Sequence, residues 1–174
     1  GTPYEYIGGN AIIGKDSYVT GNSKLFGAEA GSVFGIGNGS EGSSTIGSAD
    51  NSIIVIDGDA SIKRNVYGGG NFGAVGVSSN LSSTYSKIVI NDGFIEGDVY
   101  GGGNNNGSGS ASTTSSIDIT MNGGNVVGSI YGGANELGTI YGSTSVKVLG
   151  GEVTNNVYGG GKGGYESSSV LGAF

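Results

Sequence analysis

The chain contains no cysteine, histidine or tryptophan, and only one proline and one methionine, in 174 residues. Without cysteine, no disulfide staples the fold, and the chain is compatible with any redox compartment. Without cysteine and histidine, zinc sites built on those ligands and Ser-His-Asp or Cys-His machinery are excluded. A single proline excludes collagen and polyproline architectures. Charge is also scarce. Seven Lys and Arg stand against 14 Asp and Glu, a net charge of −7. That leaves no basic footprint for a phosphate backbone and disfavours anionic membrane surfaces. No nucleic-acid partner is expected. No apolar run reaches about 18 residues, so no membrane insertion is expected. Nothing at Gly1-Thr2-Pro3 reads as a signal peptide, and the chain is expected to be a segment of a longer repeat protein.

What the chain has in excess is glycine, 40 residues of it. Glycine-rich, weakly charged chains are often disordered. Here Val and Ile recur at fixed offsets, which a disordered linker has no reason to keep. The organising stretch is Asn65-Val66-Tyr67-Gly68-Gly69-Gly70-Asn71. It returns as Asp98-Val99-Tyr100-Gly101-Gly102-Gly103-Asn104, as Ser129-Ile130-Tyr131-Gly132-Gly133-Ala134-Asn135 and as Asn156-Val157-Tyr158-Gly159-Gly160-Gly161-Lys162. Ser32-Val33-Phe34-Gly35-Ile36-Gly37-Asn38 is a worn copy, and Tyr6-Ile7-Gly8-Gly9-Asn10 reads as a first fragment. The interval is about 27–33 residues, the signature of stacked repeats.

Each unit opens on an alternating triplet: Ile54-Val55-Ile56, Ile88-Val89-Ile90, Ile117-Asp118-Ile119 and Val146-Lys147-Val148. Period two puts the outer members of each triplet on one face. Asp118 and Lys147 mark the middle position as solvent-facing, so Ile54/Ile56, Ile88/Ile90, Ile117/Ile119 and Val146/Val148 form the inner ladder. A Gly-, Asn- or Asp-rich corner follows. The second half pairs Ile62 with Val66, Ile95 with Val99, Val126 with Ile130 and Val153 with Val157. These segments are too short and too β-branched for helix. Straight alternation would bury Arg64, so a bend is expected between the paired residues.

The pattern predicts an all-β fold, a right-handed parallel β-helix (β-solenoid) of about six coils of 27–33 residues, with no significant helix. It reads as one domain over 1–174, degenerate over 1–51 and regular over 52–174. The strand-Gly-Gly-strand-Tyr-Gly-Gly-Gly-Asn unit resembles the Gly-rich coils of bacterial extracellular β-helix proteins, as in adhesins and autotransporter passenger domains. The resemblance implies extracellular or cell-surface placement and structural or adhesive work. It suggests a stalk or display segment, or a fibre subunit stacking end to end on its own copies. A surface glycan or a host protein is the other candidate partner.

The candidate site residues follow from the repeat. Asn38, Asn71, Asn104 and Asn135 are expected to form a stacked amide ladder, with Lys162 breaking the row. The alternative is a ligand-binding row. Tyr67, Tyr100, Tyr131 and Tyr158 follow an inward residue, so alternation places them outward or at the corner, as a ligand-binding stack or as a cover for the glycine corner. Asp57, Asp59 and Asp92 are candidate ligands for one calcium ion, with a solvated turn as the plainer reading. Glu96 and Asp98 are paired carboxylates, but Arg64 is the one arginine and no basic cluster supports a lyase. An enzyme is therefore not expected. The alternative function is a carbohydrate-binding or carbohydrate-cleaving β-helix, akin to a polysaccharide lyase or glycosidase.

Overall fold

A computed structural model describes residues 1–14, 30–40, 46–76, 83–104, 116–136 and 139–163. The described residues form a parallel β-solenoid with three strands at each level. Coil 1 contains β1 (Tyr4–Ile7), β2 (Ile12–Ile13) and β3 (Val33–Phe34). Coil 2 contains β4 (Asn51–Ile56), β5 (Ser61–Ile62) and β6 (Val66–Tyr67). Coil 3 contains β7 (Tyr85–Ile90), β8 (Phe94–Ile95) and β9 (Val99–Tyr100). Coil 4 contains β10 (Ser116–Met121), β11 (Asn125–Val126) and β12 (Ile130–Tyr131). Coil 5 contains β13 (Thr144–Val148), β14 (Glu152–Val153) and β15 (Val157–Tyr158). Equivalent strands pair into three sheets, each five strands deep: β1-β4-β7-β10-β13, β2-β5-β8-β11-β14 and β3-β6-β9-β12-β15. No α-helix occurs among the described residues.

Five levels are fewer than the six coils the repeat suggested. The discrepancy comes from Tyr6-Ile7-Gly8-Gly9-Asn10. Tyr6 and Ile7 lie in β1, in register with Val55 and Ile56 of the first sheet. They do not align with Val66 and Tyr67. That fragment and the worn Val33-Phe34 copy therefore belong to one coil.

Alternation sets the faces of the long strands. Along β4, Ser52, Ile54 and Ile56 are buried, while Asn51, Ile53 and Val55 are less so. Parallel pairing sets Ile54 beside Ile88, Ile119 and Val146, and Ile56 beside Ile90, Met121 and Val148. The expected pairing of Ile117 with Ile54 and Ile88 is thus displaced by two residues. Ile117 stands in the row of Ser52, Ser86 and Thr144. A two-residue shift keeps the inward face, which is why the face was predicted correctly and the row was not. Ile62, Ile95 and Val126 from the second sheet and Val66, Val99 and Ile130 from the third complete the buried aliphatic column.

The bend expected around Arg64 is present: β5 and β6 belong to different sheets, and the chain turns between them at Lys63-Arg64. Backbone bonds carry the stack through this turn, from Gly97 N–H to the Arg64 carbonyl at 3.1 Å and from Gly128 N–H to the Gly97 carbonyl at 3.1 Å. The corners after the first sheet use glycines with positive φ, such as Gly93 at 110° and Gly124 at 81°.

Close stacking explains the triple glycine. A Cβ on Gly101 would lie 2.6 Å from the Gly132 carbonyl oxygen, and one on Gly133 would lie 2.6 Å from the Gly161 nitrogen. The carbonyls of this corner also accept hydroxyls from the first sheet: Ser52 bonds the Gly68 oxygen at 2.5 Å and Ser86 the Gly101 oxygen at 2.8 Å. Gly159, on the last level, has nothing within 4 Å of a built Cβ. Gly101→Ala is therefore expected to lower unfolding free energy by about 1–3 kcal/mol through backbone clash. Gly159→Ala should change it by no more than about 0.5 kcal/mol. Urea unfolding midpoints of the two variants check this contrast.

Candidate functional site

The Val-Tyr-Gly-Gly-Gly-Asn corner gathers most of the polar and aromatic side chains that recur. Three side-chain ladders run through it along the solenoid axis. The first is aromatic. Phe34, Tyr67, Tyr100, Tyr131 and Tyr158 stack in sequence with ring centroids 4.9, 5.0, 5.1 and 4.8 Å apart and planes within 8° of parallel. The spacing is the strand separation of a parallel sheet, so the rings are positioned by backbone pairing.

Of the two placements expected for these tyrosines, outward or at the corner, the structure corrects the first: they sit at the corner, turned in. Tyr67 and Tyr100 are 0% and 1% exposed, Tyr131 is half-buried, and only Tyr158, on the last level, is open, at 44%. Alternation fails because each strand here is two residues long and the chain turns immediately at the glycines, so Val66 and Tyr67 are both buried. The interior tyrosines present no face to a ligand.

The second ladder is an amide chain. The Asn71 side-chain amide donates to Asn38 at 3.1 Å, Asn104 donates to Asn71 at 2.9 Å, and Asn135 donates to Asn104 at 2.6 Å. Asn104 is fully buried, so each of its side-chain partners is needed. At the next level Lys162 takes the equivalent backbone place, its N–H bonded to the Ala134 carbonyl at 3.0 Å.

The third ladder escaped the sequence reading. It occupies the position before the apolar-Tyr pair: Ser32, Asn65, Asp98, Ser129 and Asn156. A side-chain oxygen at each level accepts the backbone N–H of the next. Asp98 N–H bonds Asn65 Oδ1 at 2.8 Å, Ser129 N–H bonds Asp98 Oδ1 at 2.7 Å, and Asn156 N–H bonds Ser129 Oγ at 3.2 Å. The available signal was composition, since only Ser, Asn and Asp, the short side chains that bond nearby backbone, stand there.

Asp98 and Lys162 join the ladders. Tyr100 donates its hydroxyl to Asp98 Oδ2 at 2.7 Å. The Lys162 ammonium bonds Asp98 Oδ2 at 3.1 Å and the Tyr100 oxygen at 3.2 Å, reaching back two levels. It also sits 5.9 Å from the ring centres of Tyr100 and Tyr131. Burial works to raise the Asp98 carboxyl. The bonds from Ser129 N–H, the Tyr100 hydroxyl and Lys162, together with the Lys162 charge, outweigh it and hold the group below its ordinary value. Burial, then the Asp98 bond and charge, push the Tyr100 phenol far above its ordinary value. Tyr100 is therefore a neutral phenol at any physiological pH, with no nucleophilic or basic character.

The proposed carboxylate pair is likewise engaged. Glu96 bonds Lys63 at 2.6 Å while Asp98 serves the tyrosine corner. At the opposite corner, Asp57 and Asp92 each accept the N–H of the following glycine at 2.8 Å. Asp59 and Asp92 line a shallow cleft with Gly58, Ala60, Gly93 and Phe94. Among the described residues no three acidic side chains converge, so Asp57, Asp59 and Asp92 do not make a calcium ligand set by themselves.

Glu5 is a second residue the sequence reading passed over. It pairs in register with Ile54, so it points inward at the head of the Ile54-Ile88-Ile119-Val146 row. Its Oε2 is buried without a hydrogen-bond partner. Desolvation raises its carboxyl to about 7, against a smaller opposing bond from its own backbone. The signal lay in Tyr4-Glu5-Tyr6-Ile7, where period two puts Glu5 on the face of Ile7. Comparison with protein-family models, curated proteins and solved structures finds no match to this chain.

Two outcomes are expected. Asn104→Ala leaves Asn71 without its donor and Asn135 without its acceptor, and should cost about 2–4 kcal/mol, against less than about 1 kcal/mol for Asn38→Ala at the exposed end. Chemical denaturation of both variants measures the difference. The folded state binds the Glu5 proton more tightly than the unfolded chain does. The wild-type stability associated with Glu5 is thus fully present below about pH 4.5, falls as pH rises to about 7, and levels off above. Glu5→Gln should remove that slope, as read from unfolding midpoints across the range.

Proposed function

We propose that the chain is a non-enzymatic structural module: an extracellular stalk or display segment of a bacterial surface protein, or a subunit that stacks end to end into a fibre. The observation that carries this reading is the direction in which the recurring chemistry of each repeat is used. Aromatic rings, amides and short polar side chains bond the equivalent residue of the next coil. Among the described residues, the edge of the last coil offers a partner an apolar surface, with Val148, Val157 and Tyr158 42%, 48% and 44% exposed. Among the described residues no strand pairs with the outer edges of β13, β14 and β15. An edge of this kind is a template for another strand.

A carbohydrate-binding reading is second. It draws on Tyr4, Tyr6 and Tyr85, which are exposed on the outer face of the first sheet, and not on the buried Tyr67 and Tyr100. Flat aromatic faces of this kind suit sugar rings. A glycan array with the wild-type chain and Tyr6→Ala decides it, and absence of signal on every glycan ends that reading. For the structural reading, light scattering and negative-stain electron microscopy at rising concentration should show rods lengthening in whole multiples of one chain. Compact, non-linear aggregates would count against the fibre form.

A further inference from the structure

The aromatic column gathers the side chains of this protein that give up an electron most readily. Tryptophan, tyrosine, cysteine, histidine and methionine are the readily oxidised side chains of proteins. This chain has no Trp, Cys or His, a single Met and 10 Tyr. Tyr67, Tyr100, Tyr131 and Tyr158 stand in one stack, with centroids 5.0, 5.1 and 4.8 Å apart and planes within 8° of parallel. The lone methionine, Met121, lies in the first sheet. An electron vacancy on one ring of the stack therefore faces the π-system of the next. Losing an electron turns a phenol into a very strong acid, so the oxidised state persists only where a base takes the hydroxyl proton. The third ladder separates the tyrosines on this point. At coil 3, Asp98 Oδ2 accepts the Tyr100 hydroxyl at 2.7 Å. At coil 2 the polarity is reversed, and the Asn65 amide donates to the Tyr67 oxygen at 2.9 Å. The equivalent positions before Tyr131 and Tyr158 are Ser129 and Asn156, a hydroxyl and an amide, and neither is a base.

We propose that the tyrosine column carries one-electron oxidation along the solenoid axis, and that Tyr100, with Asp98 as its proton acceptor, is where the oxidation comes to rest. The step balances. The oxidant gains one electron, the Tyr100 O–H bond breaks, and the proton joins Asp98 Oδ2. A neutral phenoxyl radical remains, hydrogen-bonded to a neutral carboxyl. Asp98 is held ionised by its bonds, so it stands ready to accept, and its 20% exposed side chain passes the proton on to water. Burial of the Tyr100 ring, 1% exposed, keeps the radical from meeting another. The Lys162 ammonium, 3.1 Å from Asp98 Oδ2 and 3.2 Å from the Tyr100 oxygen, opposes the loss of negative charge from the pair. The column therefore answers to strong one-electron oxidants, the class of peroxyl radicals and photogenerated ruthenium(III) complexes. This role is independent of the stalk or fibre reading, and neither needs the other.

The absence of cysteine lets one introduced thiol carry a photo-oxidant. Asn155→Cys, at an exposed position of coil 5, takes a ruthenium tris-bipyridyl label. Flash-quench transient absorption and electron paramagnetic resonance then follow the tyrosyl radical in the labelled chain and in its Asp98→Asn, Tyr100→Phe and Tyr131→Phe variants. Asn already occupies the Asp98 row at Asn65 and Asn156, and Phe the tyrosine row at Phe34, so the ladders accept these changes. Far-ultraviolet circular dichroism confirms that each variant is folded. The labelled chain should give a long-lived tyrosyl radical that forms more slowly in heavy water. Tyr100→Phe should lose it. Asp98→Asn should form it about a hundredfold more slowly, without the solvent isotope effect. Tyr131→Phe, which breaks the path from coil 5, should delay it about tenfold. No radical in the labelled chain, or equal yield and lifetime in Tyr100→Phe, would overturn Tyr100 as the resting place. An unchanged rate and isotope effect in Asp98→Asn would overturn the proton acceptor. Formation in Tyr131→Phe as fast as in the labelled chain would overturn conduction through the column.

Discussion

Everything in this molecule depends on parallel hydrogen bonding between equivalent residues of successive coils. Once Val66 pairs with Val99 and Val99 with Ile130, every neighbouring side chain inherits a partner one level away. The tyrosine rings fall about 5 Å apart because the backbones do. The amides of Asn71 and Asn104 meet for the same reason. A fold of this kind solves the problem of buried polar groups in one dimension: each donor finds its acceptor in the copy above or below.

Glycine is what allows the levels to approach. At the corner, backbone faces backbone with no room for a Cβ on Gly101 or Gly133. Serine hydroxyls from the first sheet then reach the exposed carbonyls of Gly68 and Gly101. Ile117 replaces the hydroxyl at coil 4, so the cap is useful to the corner without being required at every level. The repeat tolerates such substitutions because its neighbours on both sides hold the register.

Among the described residues, the two end coils pair with a neighbour on one side only, and two charged exceptions to the repeat lie there. Lys162 stands where an asparagine would extend the amide chain, and it turns back to Asp98 and Tyr100. Glu5 stands where an isoleucine would extend the aliphatic column. Both replace a residue that pairs with copies of itself by one that carries charge. Within the chain such residues would be costly at those positions. At an edge they limit what can be added.

Period two in Ile54-Val55-Ile56, glycine at the corners and the recurrence of Val-Tyr-Gly-Gly-Gly-Asn were enough to derive a parallel β-solenoid from the sequence, since facing and repeat length follow from local residue pattern. The bend at Arg64 was legible because the cost of burying an unpaired arginine outweighs simple alternation. The number of levels was not, because Tyr6-Ile7-Gly8-Gly9 mimics the tyrosine corner while pairing with Val55 and Ile56. Nor was the row of Ile117, since parity decides which face a residue takes but only pairing decides its neighbour. The burial of Tyr67 and Tyr100, the bonding of the Asn65-Asp98-Ser129 ladder and the pairing of Glu5 with Ile54 were decided by tertiary structure alone. In each case the deciding partner lies about 30 residues or more away, on the adjacent coil, where local sequence carries no record of the contact.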